Sequence, residues 1–515
     1  MHHKSLDRKK WISTFCLIKG RKYLFLGFLF FIFGSIVTTA QNSSLPNEFF
    51  HYKAETRASF AGGENTPFWL VSNLHGLGSP YFNNGYVRGE IHKNIESDNK
   101  FSWGAGVDLV GAWNQEAPFR IQQLYAELKY RHLWVSIGSR EFTPLYNDPA
   151  LSSGDLLFSG NAMPIPQVRV GTYGFAPFWG CKGWFSVNAY LAYGMFTDSN
   201  WKEHWVAPAT NNSLNVLFCS RAIWFRFGNI EKFPLTFDFG CEMGTQFGGT
   251  IYHENTIIKM PTGFMDWIRA FIPDAGGKKT PWGEQLNIQG NMTGEYTFSL
   301  IYNPTKDWKL RAYFEHYFED YSQMFFQYGP WKDGLWGVEI EFPHNPFVSK
   351  FVYEFINTTD QTGAVLNYAT PEIPEQVSGR DGYYTHYLYG AWQNWGMSMG
   401  TPLAISPIYN RSHLLTLYNT RFVANHCGLE GQPLRCLSWR LLLTHTRNRG
   451  TYYRPLSEIM DNFSGLVQID YKPSFVNGLF IKGSLAWDHG PLLGNNFGGM
   501  ISVGFEGDFS LKTHH

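Results

Sequence analysis

Six histidines (His316, His386, His413, His426, His445 and His489) fall where they could line an internal cavity, and "FEHYFEDY" (Phe314–Tyr321) sets Glu315, Glu319 and Asp320 around the first of them. A histidine among carboxylates is raw material for general acid–base work, and a carboxylate pair is what glycoside cleavage requires. Nothing organises these groups further. No serine and acid accompany any of the histidines as a triad would need, and the chain has no GxSxG elbow, no CxxC, no HExxH and no P-loop. "GNNFGG" from Gly494 reads as a hairpin turn. Glu315 and Glu319 share one face of an extended strand, which equally suits a hydrophilic lumen, and the lumen is the favoured reading. No enzyme activity, metal or cofactor is expected.

Binding chemistry is better represented. Arg421, Arg440, Arg447, Arg449 and Arg454 lie in "NTRFVANHCGLEGQPLRCLSWRLLLTHTRNRGTYYRP". Guanidinium forks suit the carboxylates and phosphates of an acidic polysaccharide, although pairing with lumenal acids such as Glu339, Glu341 and Glu354 would need the same residues. Just upstream, "YYTHYLYGAWQNWGMSMGTPLAI" (Tyr383–Ile405) is too polar for a membrane helix and too rich in aromatics and glycine for an amphipathic one. Sugars are gripped by flat ring faces beside hydrogen-bonding groups. Tyr383, Tyr384, Trp392 and Trp395, with Arg380, Asp381 and Gln393, could supply both. Packing of the same rings against a protein wall is the competing reading.

The elements that hold these residues begin after a leader. Lys4, Arg8, Lys9, Lys10, Lys19, Arg21 and Lys22 precede an apolar run, Tyr23–Val37, and then Thr38 and Ala40 at −3 and −1 of an expected cut. This order describes a cleavable export signal over residues 1–40, since the run is shorter than the ~20 residues a spanning helix needs. Of 42 basic and 42 acidic residues the leader holds seven and one, leaving 35 against 41. A net negative mature chain excludes nucleic acid as the expected partner. Five cysteines follow the leader, an odd number that no complete disulfide framework uses; Cys427 and Cys436 bracket "GLEGQPLR" and could close one loop.

From residue 50 the pattern has a period of two. "FHYKAETRASF" (Phe50–Phe60), "FSWGAGVDLVGAW" (Phe101–Trp113), "LTFDFGCEMGTQF" (Leu235–Phe247) and "ISVGFEGDF" (Ile501–Phe509) each give one apolar and one polar face. Similar runs recur to the end of the chain, many about ten residues long, which is the length of a tilted transmembrane strand. Aromatics are 18% of the residues and often end these runs, as interface girdles do. A soluble sandwich or propeller would alternate too. The length of the runs, the leader and the charged polar faces instead predict an all-β transmembrane outer-membrane barrel of antiparallel strands over residues 41–515. Stretches near 143–167, 256–285 and 368–410 break the alternation and are expected as short helical or plug insertions, Phe264–Phe271 being one helix-like piece.

Several stretches in order, "TPFWLVSNLHG" (Thr66–Gly76), "QQLYAELKYRHLWVSIGSREF" (Gln122–Phe142), "LSSGDLLFSGNAMPIPQVRVG" (Leu151–Gly171), "FEHYFED", "YEFINTTDQTG" (Tyr353–Gly363), the aromatic stretch itself, "RFVANHCGLEG" and "THTRNRGTYYRP", resemble the capsule-assembly Wzi family in its Bacteroidetes-type form. The resemblance implies about eighteen strands, with helical elements near the periplasmic end. It also implies a monomeric, lectin-like protein of a Gram-negative outer membrane that anchors or assembles capsular polysaccharide or exopolysaccharide. That role is neither enzymatic nor that of an open porin. The alternative is a passive, porin-like channel for sugars or other small solutes.

Overall fold

The computed structural model describes residues 48–511 apart from 209, 254–255, 287, 320–323, 325–332, 368–376 and 381. The expected leader lies outside the described residues. Phe50–Phe509 forms one compact unit. Its strands run in chain order as β1 (Glu48–Gly62), β2 (Asn84–Lys93), β3 (Phe101–Trp113), β4 (Phe119–Tyr130), β5 (Leu133–Ser139) and β6 (Gln167–Thr172, continued by Ala176–Pro177). They continue as β7 (Phe185–Met195), β8 (Leu217–Phe227), β9 (Leu235–Phe247), β10 (Asn291–Thr305), β11 (Trp308–Glu319) and β12 (Gly334–Glu341). The last six are β13 (Lys350–Asn357), β14 (Phe422–Leu434), β15 (Leu437–Gly450), β16 (Pro455–Tyr471), β17 (Leu479–His489) and β18 (Asn496–Leu511).

Each strand pairs antiparallel with the next, and β18 returns to β1, so eighteen staves close a barrel. The alternation read from the sequence is inverted relative to a soluble protein. On β3, Val107 and Leu109 are 45% and 42% exposed, whereas Asp108 between them is 1% exposed. β4 repeats this, with Leu124 and Leu128 exposed and Gln123 and Glu127 buried. Leaving a large aliphatic side chain in water forgoes about 1.5–3 kcal/mol. Summed round the ring, that exceeds the ~5–15 kcal/mol of net stability a folded domain has. The outer face therefore requires lipid, and closure satisfies the backbone there. Among the described residues no helix is long and apolar enough to cross a membrane, and the crossing is made by strands.

Inward charges are neutralised sideways. Arg88 Nη2 lies 2.6 Å from Asp108 and 3.0 Å from Glu141, Arg226 forks onto Asp238 at 2.8 and 2.7 Å, and Arg311 pairs with Glu339. The connections are unequal at the two ends. Short turns, and the barrel ends of the first and last strands, share one end; Phe50 stacks on Phe509 there at 5.5 Å. The long connections, 63–83, 140–166, 196–216, 248–290 and 358–421, all leave the other end.

The helices Ser199–Trp205, Phe264–Phe271 and Trp282–Leu286 belong to the long connections, the helix-like piece expected at Phe264–Phe271 among them. Two expectations change. Residues 143–166 carry no helix; Pro144, Pro149, Pro164 and Pro166 interrupt any amide ladder, and the segment runs as turns and extended chain. Cys427 and Cys436 are both free. Cys427 sits mid-way along β14 and Cys436 beyond its end, so at ~3.3 Å per residue they stand some ~20 Å apart, far beyond disulfide reach.

Val107→Arg, at mid-height on the lipid face, is expected to destabilise the barrel by ~2–4 kcal/mol. Urea unfolding in lipid vesicles measures this, and Val107→Leu should leave the midpoint unchanged.

Candidate functional site

Three of the long connections, 63–83, 140–166 and 358–421, turn back into the lumen and occupy most of it. The first, 63–83, is held by Arg57, whose Nη2 donates to Leu70 O at 2.8 Å, and by Arg120, whose Nη1 donates to Gly76 O at 2.7 Å. The second, 140–166, reaches the short-turn end of the lumen. There Lys350 Nζ lies 2.8 Å from Asp148, and Arg440 donates to Ala150 O at 2.9 Å and to Gln468 Oε1. Higher up, Glu354 accepts hydrogen bonds from both Ser152 and Ser153 and from the Tyr313 hydroxyl, while Glu315 accepts from Asn147 at 2.9 Å and the Leu156 amide at 3.1 Å.

His426 stands between the wall and this segment. Its Nε2 is 2.7 Å from Leu151 O, which can only accept, so Nε2 carries the proton. Nδ1 at 2.7 Å then accepts from the Thr444 hydroxyl, which itself accepts from Trp69 Nε1. This histidine is a satisfied lumen residue rather than a free base.

The aromatic stretch is the core of the plug. Tyr383, Tyr384, Trp392 and Gln393 are all buried. Tyr317 of β11 packs at 4.8 Å from Tyr383 and 4.7 Å from Tyr384, and the two hydroxyls are taken by Asp333 and by Leu156 O. Trp392 packs in a triangle of rings with Phe158 and Phe218 and donates to Leu157 O at 3.1 Å. Its ring approaches β9 so closely that a Cβ on Gly244 would lie 2.5 Å away. Gln393 closes its own turn onto Gly396 N, where φ is +78° and glycine fits without strain. No ring face of Tyr383, Tyr384 or Trp392 stays open to a ligand. Between the two uses open to these residues, the geometry is that of packing.

Trp395 is different. Half-buried, it extends a ladder of Trp201, Trp205 and His413 at the long-connection end, with successive spacings of 6.1, 5.0 and 4.8 Å. Arg421 is also at that end. Its guanidinium lies 3.9 Å from the Tyr452 ring, next to Tyr453, which is 80% exposed. Arg447 and Arg449 share the same end but point outward from β15, above the apolar belt, where Arg447 and His445 both meet Asp461. Arg440 is remote from them, low in the lumen. The Arg380 side chain and Asp381 lie outside the described residues. The candidates therefore separate into a buried set, a rim set and a low clamp.

Sequence reading missed a cavity of about 370 Å³ between the plug and the inner face of β4–β8. Glu127, Trp134, Arg140, Arg169, Tyr190 and Trp224 line it, with the Arg169 guanidinium 4.2 Å from the Tyr190 ring. The signal was present in "QVRVG": Val168 and Val170 point to lipid, which places Arg169 inside.

Burial also sets protonation in the plug. It pushes Asp155 up to about 6 and Glu284 up to about 7, and His386, 3.5 Å from Glu284, down to about 3. A raised carboxyl pKa means that the folded form holds more protons than the unfolded one between roughly pH 4.5 and 7.

The sequence matches no known protein-family profile and no curated protein. Among solved structures, Wzi, the carbohydrate-binding β-barrel of the outer membrane involved in group 1 capsule assembly in Escherichia coli, aligns with a TM-score of 0.54 at 13% identity. The alignment covers 91% of this chain and 86% of that one. Pseudomonas aeruginosa OccK5 (OpdH) aligns with a TM-score of 0.46 at 8% identity, over 91% of this chain and 100% of that one. The first likeness shows the fold: the chain is an outer-membrane β-barrel.

Trp392→Ala is expected to cost about 3–5 kcal/mol and to raise hydrogen exchange in the plug, whereas Trp395→Ala should cost under about 1 kcal/mol in the same assay. Because stability tied to Glu284 falls as pH rises from about 4.5 through 7, the melting temperature of Glu284→Gln relative to the unsubstituted protein should rise with pH across that window.

Proposed function

We propose that this chain binds polysaccharide at the cell surface, holding capsular or related exopolysaccharide to the outer membrane, and that it is not an enzyme. The observation that carries this reading is the largely filled lumen. A plug with its own aromatic core, tied to the wall at several heights, suits a platform better than a pore. The likeness to a carbohydrate-binding barrel supports the same direction. Short turns face the periplasm and long loops the outside in barrels of this kind, so the long-connection end is the outer one. The rim there offers the chemistry an acidic polysaccharide needs: the open ring of Tyr453, the Tyr452 ring backed by Arg421, and the exposed cations Arg447, Arg449 and Arg454. Glu315 takes part in seating the plug, and a hydrolytic role would require it to be free. An export signal over residues 1–40 belongs to the same reading.

The second reading, a passive channel, is favoured by the cavity beside β4–β8, whose arginines and acids would suit a small polar solute. Two measurements separate the readings. Deletion of the gene should release capsule into the medium with synthesis intact, and the purified barrel should show little conductance in planar bilayers. Unchanged cell-bound polysaccharide together with steady open-channel currents would reverse the assignment. Tyr453→Ala with Arg449→Ala should weaken binding of the cell's own purified polysaccharide at least roughly tenfold, ~1.4 kcal/mol, without altering the heat-dependent gel mobility of the folded barrel.

A further inference from the structure

Across the inner wall the sequence sets a row of acids at one level. Glu242 of β9 is directly opposite Glu295 of β10, and Glu295 is diagonal to Glu315 of β11, which faces Thr297 in the register. Asp155 of the plug meets this row from inside. One carboxylate oxygen each from Asp155, Glu295 and Glu315 lies within 4.8 Å of the others, and all three residues are buried. None of the three makes an ion pair with Lys, Arg or His among the described residues, unlike Asp108, Asp238 and Glu339 at other points of the same wall.

The partners that do reach the cluster are few. Asp155 Oδ1 accepts the amides of Leu157 and Phe158, and Glu315 accepts Asn147 and the Leu156 amide. Glu295 is 0% exposed, and its oxygens accept no hydrogen bond from an amide, hydroxyl or amine among the described residues; its one hydrogen-bonding neighbour is the Asp155 carboxyl. It is the only buried carboxylate there with both oxygens in that condition. A carboxylate stripped of water without a donor or cation costs several kcal/mol, and three together cost more. Either a proton shared between Asp155 and Glu295 or a bound cation has to offset this charge.

We propose that Asp155, Glu295 and Glu315 form a structural site for a hard divalent cation of calcium size, which latches the plug segment 140–166 to β10 and β11. The donor set is all oxygen, the preference of Ca²⁺ and Mg²⁺ over zinc or copper. Ca²⁺ binds oxygens at about 2.3–2.6 Å, so oxygens on opposite sides of it stand up to about 5 Å apart. The ~2.1 Å bonds of Mg²⁺ draw them inside ~4.2 Å. Oxygens within 4.8 Å of one another fit either ion, and burial without room for water favours Ca²⁺, because Mg²⁺ gives up its water reluctantly. Three carboxylates offer at most six oxygens, enough for Ca²⁺ with little or no water, in keeping with their burial. The ion enters during folding, since the plug covers the site afterwards.

The test uses the full-length barrel purified in detergent. Elemental analysis after gel filtration should find about one calcium per chain. Chelation under mildly destabilising conditions should lower the melting temperature by several degrees, with recovery on adding Ca²⁺ but not Mg²⁺. Tb³⁺ in place of calcium should luminesce on tryptophan excitation, because Trp392 is bonded to Leu157, two residues from Asp155. Glu295→Gln and Asp155→Asn, checked for folding by heat-dependent gel mobility, should lose both the calcium and the chelator response. Absence of bound calcium and of terbium signal in the native barrel would overturn the site. So would a folded Glu295→Gln variant with undiminished calcium, or one whose melting temperature rises equally with and without chelator. That last outcome would mean that protons neutralise the cluster.

Discussion

In lipid no water exists to take up a loose amide or carbonyl, so a sheet that crosses a bilayer must pair its last strand with its first. The return of β18 to β1 is the condition on which everything else in this molecule depends. Closure forces each strand to face lipid with one side and the lumen with the other, and alternation then leaves the charges nowhere to go but in. The inner wall becomes a crowded polar surface whose charges must cancel at close range. Arg88 with Asp108 and Glu141, and Arg226 with Asp238, do so stave to stave. Where the wall carries acids without bases, as at Glu295, cancellation must come from another source.

A polar wall also changes what a plug has to be. Chain entering the lumen cannot simply pack its apolar side against the barrel, because most of what it meets is polar. Here the solution is layered. Backbone carbonyls of the plug, at Leu70, Gly76, Ala150 and Leu151, are handed to wall donors Arg57, Arg120, Arg440 and His426. The rings of Phe68, Trp69, Tyr383, Tyr384 and Trp392 gather among themselves and around the few inward aromatics, Tyr313, Tyr317 and Phe218. The lumen thus holds a small apolar core inside a polar ring, the reverse of a soluble sandwich.

That layering explains what the sequence disclosed and what it hid. The barrel was legible because the period of two is a property of the strand backbone itself, and runs such as Phe101–Trp113 display it without help from distant residues. Eighteen staves came through resemblance and not through counting, since short strands such as Leu133–Ser139 are weak signals alone. The Tyr383–Ile405 stretch was legible as non-strand, but its use was not: a ring packed on Gly244 and a ring stacked on a sugar ask for the same composition. Only the partner distinguishes them, and the partner, Phe158 or Gly244, is remote in sequence. Arg447 and Arg449 were placed by type and not by side. β15 outruns the bilayer, so residues in the lipid-facing register become solvent-facing near its end, at a point that depends on barrel tilt.

The same energetics bear on how any solute could pass. Displacing the plug would uncover Trp392, Tyr383 and Tyr384, at about 3–5 kcal/mol for each ring lost from packing. It would also exchange the plug acceptors of Arg57, Arg120 and Arg440 for water, at about 0.5–1.5 kcal/mol net for each bond. Together these reach the whole stability of an ordinary domain, so expulsion of the plug is not a thermal gating motion. A conducting path, if the molecule has one, has to run beside the plug through the cavity of Arg140 and Arg169, with the plug in place. A bound polysaccharide has to stay at the rim for the same reason. Both possibilities leave the plug as fixed structure, which is why its anchoring to the wall, and the neutralisation of the acids at that anchor, weigh more in this molecule than the mobility of its loops.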